Sequence, residues 1–130
     1  MPTLTVTVTV AQDGADPLPG FPLVRRVSVD EVQAFTVEQA NAGNTTTWQA
    51  VPLANIDTVS FLVLRPDRAV TLRLNDGNAD STTAPTIAVA AGGLLLLADC
   101  TLSAGAGSAN ARTSNNSGAT AVLRGVGGGT

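Results

Sequence analysis

The residue types that most often carry catalysis are scarce in this chain of 130 residues. It has no His, Lys or Tyr, so general acid–base chemistry would depend on carboxylates. Ten acidic residues are present, and two carboxylates placed across a sugar can hydrolyse a glycosidic bond. Their contexts are not typical of a catalytic pair, because Asp67 belongs to a turn and Asp30 and Glu31 lie at a strand boundary. We therefore predict no enzyme activity, no catalytic residue and no cofactor.

Two further groups are candidates for a nucleophile and for a metal site. Cys100 is the sole cysteine, which excludes an internal disulfide and a cysteine-based zinc site. Without a His to activate it, we expect its thiol to pack as a small apolar group. The loop at 75–80 carries side-chain oxygens of the kind that Ca²⁺ prefers. The spacing of a calcium loop and its distal Glu are absent, so we favour a solvated loop and predict no metal site.

Three of the seven arginines lie close together in the sequence, at Arg65, Arg68 and Arg73. A solvated face is one interpretation of this cluster. The other is a contact surface, since Arg forms bidentate pairs with carboxylates and is enriched at protein interfaces. The net charge is −3 and there is no basic stripe, so we expect no nucleic-acid partner.

The arginine cluster lies in the segment Thr58–Asn75, which predicts a hairpin of two β-strands joined by a tight Pro66-Asp67 turn. Pro66 presets the turn, and Asp67 can bond its own backbone there. In the second strand, apolar residues alternate with polar ones, so one face is core and the other is wet.

The N-terminal segment predicts a strand with one apolar face. Thr and aliphatic residues alternate over residues 3–10, and the apolar face carries Leu4, Val6, Val8 and Val10. A half-buried strand of the same subunit is the simpler interpretation. An arm that pairs with a neighbouring subunit is the alternative, because a terminal strand has a free edge. The segment Ala11–Pro22 holds prolines, glycines and aspartates and is predicted to be a loop.

The rest of the chain indicates further short strands separated by turn residues. Strands are predicted at 24–30, 32–39, 47–51, 86–90, 94–97 and 119–126, with a short helix over 29–39 as a competing interpretation. The run Leu94–Leu97 is apolar at every position, which predicts burial on both faces. No signal peptide is recognised at the start, and no apolar run is long enough to cross a bilayer, so we expect a soluble protein without a membrane partner.

Together these segments predict an all-β chain, either an antiparallel β-sandwich or a jelly roll of about eight to ten short strands. The predicted organisation is an N-terminal strand or arm with a Pro-rich loop at 1–22, a β-sandwich domain at 23–126 and a glycine-rich tail at 127–130. Aromatic residues make up only 3% of the chain, so the core must consist of small aliphatic residues. We therefore expect stability to depend partly on association with other subunits.

Three segments resemble a group of small virion proteins of tailed bacteriophages. They are Val70-Thr71-Leu72-Arg73-Leu74-Asn75, the turn Ala91-Gly92-Gly93 before Leu94–Leu97, and the turn Asn116-Ser117-Gly118-Ala119 before the closing strand. The resemblance covers residues 51–126. It is to capsid decoration (cement) proteins and to small head or tail appendage proteins, which are generally β-sandwiches that form oligomers.

This resemblance implies a non-enzymatic virion protein that binds and stabilises a bacteriophage capsid. The expected partners are the major capsid protein and the protein itself, as a homo-oligomer (dimer or trimer). The expected location is the capsid surface, after synthesis in the host cytoplasm. Tail, collar or fibre-base components are the alternative, and a host- or carbohydrate-binding module ranks third. The candidate interface comprises Leu4, Val6, Val8, Val10, Arg65, Arg68 and Arg73.

Overall fold

Ten β-strands form the regular structure of residues 2–43, 47–76, 86–102 and 109–130, which are the residues that the computed structural model describes. The strands are β1 Thr3–Val8, β2 Leu23–Ser28, β3 Glu31–Gln39, β4 Gln49–Ala50, β5 Val59–Pro66, β6 Val70–Asp76, β7 Thr86–Val89, β8 Leu95–Leu102, β9 Ala109–Ser114 and β10 Ala121–Gly129. The alternative of a short helix over 29–39 is wrong, since most of this segment forms β3.

Strands β3 to β10 form two four-stranded antiparallel sheets in jelly-roll order. The first sheet has the order β3-β10-β5-β8 and the second has the order β4-β9-β6-β7. The first strand of this set therefore pairs with the last, the second with the next to last, and so on inward to β6 and β7. These antiparallel strand pairs thus fold together into two facing sheets, which is the jelly-roll arrangement. The predicted all-β fold is confirmed.

The main core lies between the two sheets and is mostly aliphatic, with Phe35 of β3 among its members. Leu62 and Leu64 of β5, Leu72 of β6 and Leu123 of β10 are fully buried there. Because side chains alternate across a strand, one face of each of these strands supplies this core. The predicted apolar face of β6 is confirmed, because Val70 and Leu72 are buried in the same cluster.

Strands β5 and β6 exist as predicted, but the hairpin between them is wrong. They lie in different sheets: β5 pairs with β10 and β8, and β6 pairs with β7 and β9. Both strands turn their apolar faces to the core from opposite sides, so the connection crosses from one sheet to the other. The Asp67 backbone N–H donates to Val122 O (3.0 Å), and Asp67 Oδ1 accepts from Val122 N (2.7 Å). The turn is therefore fixed by β10 rather than by a bond of Asp67 to its own backbone.

Strands β1 and β2 form a separate two-stranded ribbon that packs on the outer face of the first sheet. Leu4 of β1 and Val27 of β2 contact a second apolar cluster that includes Phe61 of β5 and Leu96 of β8. The inner face of β8 contributes Leu95 and Leu97 to the main core. The prediction that Leu94–Leu97 is buried on both faces is confirmed only in part: Leu95, Leu96 and Leu97 are half-buried between the main core and the ribbon, whereas Leu94 is 65% exposed.

The glycines at 127–129 belong to the sheet, so the predicted glycine-rich tail is wrong. Strand β10 continues to Gly129 and pairs with β3 on one side and β5 on the other. A Cβ on Gly125 would meet the ring of Phe35 and the backbone oxygen of Val63. Glycine in this strand thus lets neighbouring side chains lie directly on the backbone. The predicted boundary at residue 23 also differs, since β2 belongs to the ribbon and not to the sandwich.

Candidate functional site

The distal half of the β1–β2 ribbon extends past the apolar cluster that anchors its base. Leu4 and Val6 share a face of β1 and contact that cluster together with Val27. Further along the same face, Val6 pairs with the exposed Arg25, and Val8 pairs with the exposed Leu23. The apolar face therefore continues beyond its anchored part.

We call residues 8–24 the ribbon tip. It holds four of the exposed large apolar side chains among the described residues: Val10 (39% exposed), Leu18, Leu23 and Val24 (52% exposed). Leu23 lies on the same face as Val8, whereas Val24 lies on the opposite face of β2, and the Leu18 N–H donates to Val10 O. Exposed apolar side chains grouped in one segment are typical of an interaction surface. Asp13 and Asp16 are also exposed in the tip, so the surface combines apolar and acidic groups.

Two tight turns give the predicted loop at 11–22 a defined shape. The Ala15 N–H donates to Gln12 O (3.0 Å), with Gly14 at a φ of 72°. The Phe21 N–H donates to Leu18 O (3.0 Å) around Pro19 and Gly20, where the φ of Gly20 is 86°. Pro followed by Gly is the preferred pair at the centre of a type II turn, because Gly tolerates the positive φ. The tip is therefore ordered by its own backbone bonds.

The structure divides the four predicted interface residues of the first strand. Leu4 and Val6 pack within the chain, Val8 is half-buried, and Val10 is exposed. The simpler interpretation of this strand, a half-buried face in its own subunit, describes its base. Val10 is exposed, and Val8 is the half-buried residue of this face that lies outside the apolar cluster.

Two of the three predicted arginines lie on a second exposed surface, at one end of the first sheet. Arg65 of β5 and Arg124 of β10 are directly opposed cross-strand neighbours and both are exposed. Arg68 follows in the exposed connection after β5, and Leu94, immediately before β8, is 65% exposed. Since Leu64 pairs with Leu95, Leu94 lies one position along, beside Arg65. We call Arg65, Arg68, Arg124 and Leu94 the arginine rim.

Arg73 does not join this surface. It lies in the second sheet, is only 2% exposed, and its guanidinium carbon is 4.3 Å from the centroid of the Trp48 ring. Stacking of a guanidinium on an indole is favourable because the ring face is electron-rich. The prediction that Arg73 belongs to an exposed arginine face is wrong, since alternation along β6 placed it on the wet face without showing that Trp48 packs over it.

A buried polar network near the end of β9 was not predicted. Gln39 Nε2 donates to Thr113 O (2.8 Å), and Thr113 Oγ1 donates to Gln39 Oε1 (2.7 Å), which joins the two sheets. Asn115 is fully buried, and its Nδ2 donates to Gln39 O (2.8 Å) and Ala119 O (2.9 Å). The turn composition at 115–118 marked this region, but only as a turn. The network holds the sheets together and offers no exposed group for a ligand.

Cys100 is half-buried in β8, next to Asp99, whose φ is 59°. Partial burial raises the pKa of the Cys100 thiol, and the nearby Asp99 carboxylate raises it further. A raised pKa leaves less thiolate at neutral pH, which makes the sulfur a poorer nucleophile. The interpretation of Cys100 as a small packing residue fits these surroundings.

Over the described part of the chain, no group of three or more His, Cys, Asp or Glu side chains is arranged to hold a metal ion. The loop at 75–80 lies outside the residues whose side chains are described. In that same part of the chain, no helix is long and apolar enough to cross a membrane. Comparison with protein-family models, with curated proteins and with solved structures finds no match for this chain.

Proposed function

We propose that this chain is a non-enzymatic structural protein of a tailed-bacteriophage virion, a decoration or cement protein that binds and stabilises the capsid. The observation that supports this role best is the ribbon tip, an ordered apolar projection on a jelly-roll body. Jelly rolls are recurrent in viral capsid proteins, which is an argument from fold analogy. A cement protein stabilises a shell by adding contact area between subunits, and this requires exposed contact residues rather than catalytic ones.

The proposed partners are the major capsid protein and further copies of the chain, and the proposed location is the capsid surface. Tail, collar or fibre-base components are the second candidate, because they need the same kind of contact surface. Copy number separates the two: many copies per particle favour the head, and a few favour the tail. A sugar-binding role has less support, since the guanidinium of Arg73 already lies against the Trp48 ring.

The flanking genes give the first test. A scaffold, protease or major capsid gene beside the coding sequence supports the head role, whereas tail genes on both sides support the second candidate. A neighbourhood without any virion gene would contradict both. Electron microscopy of purified particles carrying an affinity label on the chain then locates it and gives its copy number.

Binding to particles tests the role of the ribbon tip directly. Particles assembled without the chain are mixed with the purified protein, pelleted and assayed for bound chain. We expect the variant Val10→Ser/Leu23→Ser to bind at least about tenfold more weakly, because these exposed side chains supply apolar contact area.

The matched control is Val32→Ser/Ile87→Ser, which also replaces two exposed aliphatic residues but lies outside the tip. We expect it to bind like the unaltered chain. If the unaltered chain, the tip variant and the control all bind equally, the tip does not contribute to capsid binding. Failure of the unaltered chain to bind would contradict the decoration role itself.

A further inference from the structure

The ribbon tip and the arginine rim are two exposed surfaces that complement each other in charge. The tip presents Asp13 and Asp16 beside exposed aliphatic residues. The rim presents Arg65 and Arg124 beside Leu94, which is itself exposed. Each surface thus combines charged groups with apolar area, as specific protein interfaces do, and the exposed Arg25 and Arg26 follow the acidic tip in β2.

We infer that the ribbon tip of one copy of this chain binds the arginine rim of a second copy. Both surfaces are exposed in the single chain, so the tip does not cover the rim of its own molecule. A contact between them therefore joins two molecules. Tip and rim are different patches, so the contact is head-to-tail and either closes into a ring or continues as a chain.

The opposed arginines are the strongest support for an acidic occupant of the rim. Arg65 and Arg124 are direct cross-strand neighbours, and like charges in that position repel each other and cost stability. Carboxylates placed between the two guanidinium groups remove that repulsion, and Arg binds a carboxylate through two parallel hydrogen bonds. The rim also borders two carboxylates of its own chain, Glu38, which pairs with Val122, and Asp67, whose Oδ1 accepts the Val122 N–H; these offset only part of the repulsion at the exposed Arg65 and Arg124.

The tip has the shape and order that such a contact needs. The turn at Gln12–Ala15 places Asp13 at an exposed corner, and the Leu18 N–H donates to Val10 O (2.8 Å). An interface formed by an ordered projection loses less conformational entropy on binding than a flexible arm does. Leu18 and Val10 bring apolar area to the same surface and match Leu94 of the rim.

This inference names a further copy of the chain, the second of the two proposed partners, as the partner of the tip, so the tip contributes to capsid binding by joining copies of the chain. It rests on the proposed function in treating the tip as a contact surface. It also accounts for a chain whose core consists of small aliphatic residues, because association adds stability by mass action. Its test uses the purified full chain without capsids, so its failure is separate from a failure of the proposed function.

A charge-swap experiment in the analytical ultracentrifuge tests the contact. The variants are Asp13→Arg/Asp16→Arg, with a basic tip, and Arg65→Glu/Arg124→Glu, with an acidic rim. Each variant alone places like charges at the contact, so we expect the Kd of self-association to rise at least about tenfold. An equimolar mixture of the two restores opposite charges at both contacts, and we expect association to return to within about threefold of the unaltered chain.

The control is Glu31→Arg/Asp57→Arg, which makes the same change of charge as the tip variant at exposed positions outside both surfaces. We expect it to associate like the unaltered chain, and circular dichroism checks that every variant keeps its β structure. The inference is overturned if the unaltered chain stays monomeric up to millimolar concentration, if either variant associates normally, or if the mixture does not recover.

Discussion

Asn115 shows how one buried side chain can hold several parts of the fold in place. Its Nδ2 donates to carbonyls at the end of β3 and before β10, and its Oδ1 accepts from the backbone N–H of Ser117 (3.1 Å) and from Ser117 Oγ (2.7 Å). Every hydrogen-bonding atom of the carboxamide is thus used within the protein. Removing the group leaves buried carbonyls without a donor, and this costs more than the bonds themselves contribute.

We expect Asn115→Ala to lower the free energy of unfolding by about 3 kcal/mol, since several buried polar partners lose their bonds together. Urea unfolding followed by circular dichroism measures the change. Asn116→Ala is the matched control, because Asn116 is the exposed neighbour in the same turn, and we expect a change within about 0.5 kcal/mol. Equal effects of the two substitutions would show that turn geometry, not the buried network, sets the stability.

At the level of single residues, sequence patterns predicted which face of a strand a side chain occupies, but not which distant side chains pack against it. Alternation assigned Arg73 to the polar face of its strand, and that face is indeed the one turned away from the core. Its burial depends on Trp48, which lies 25 positions earlier and reaches Arg73 only through the pairing of β4, β9 and β6. The Asn115 network likewise depends on Gln39 and Thr113, which are far apart in the chain.

The β1–β2 ribbon combines two contact regions. Its base packs on the outer face of the first sheet, and its tip is a candidate surface for binding another molecule. Val27 and Val24 lie in the same strand but on opposite faces. Val27 is 5% exposed within the cluster under the ribbon, whereas Val24 is 52% exposed. The pair therefore separates packing of the ribbon from its intrinsic preference for extended structure.

We expect Val27→Ala to lower the free energy of unfolding by about 2 kcal/mol, since two buried methyl groups are removed and a cavity remains. Val24→Ala makes the same chemical change at an exposed site and should alter it by less than about 0.5 kcal/mol. Thermal and urea unfolding both measure the difference. If the two variants lose the same amount, the ribbon is stabilised by strand propensity and not by its contact with the first sheet.

Elements with a clear side-chain pattern could be predicted from the sequence, and those without one could not. The alternation in β1 and β6 and the apolar run of β8 each indicated a strand and the faces it buries. The last third of β10 has only glycine at 127–129, so it carries no side-chain pattern, and its composition predicts a tail. Strand β9 was missed as well, because its mix of small and polar residues is typical of loops as much as of strands.

For the whole molecule, the sequence could predict the class of fold but not which strands pair. The Pro66-Asp67 turn fits a hairpin and a crossing between sheets equally well, because a tight turn fixes the local direction of the chain only. The choice between them depends on how strands far apart in the chain share one core. Pairing of β3 with β10, at opposite ends of the jelly roll, is the clearest case, since no local signal connects them.

The C-terminal strand makes this dependence on distant pairing measurable. Residues 127–129 pair with β3 and β5, Gly129 O accepts the Asp30 N–H (2.8 Å), and Thr130 exchanges two backbone hydrogen bonds with Thr58 (2.8 and 3.0 Å). Deleting residues 127–130 removes these bonds from the middle of the first sheet, so we expect a loss of at least about 3 kcal/mol in the free energy of unfolding. Thr130→Ala keeps the backbone bonds and should change little. A truncated chain as stable as the full one would show that these glycines contribute no sheet pairing and behave as the tail that their composition suggested.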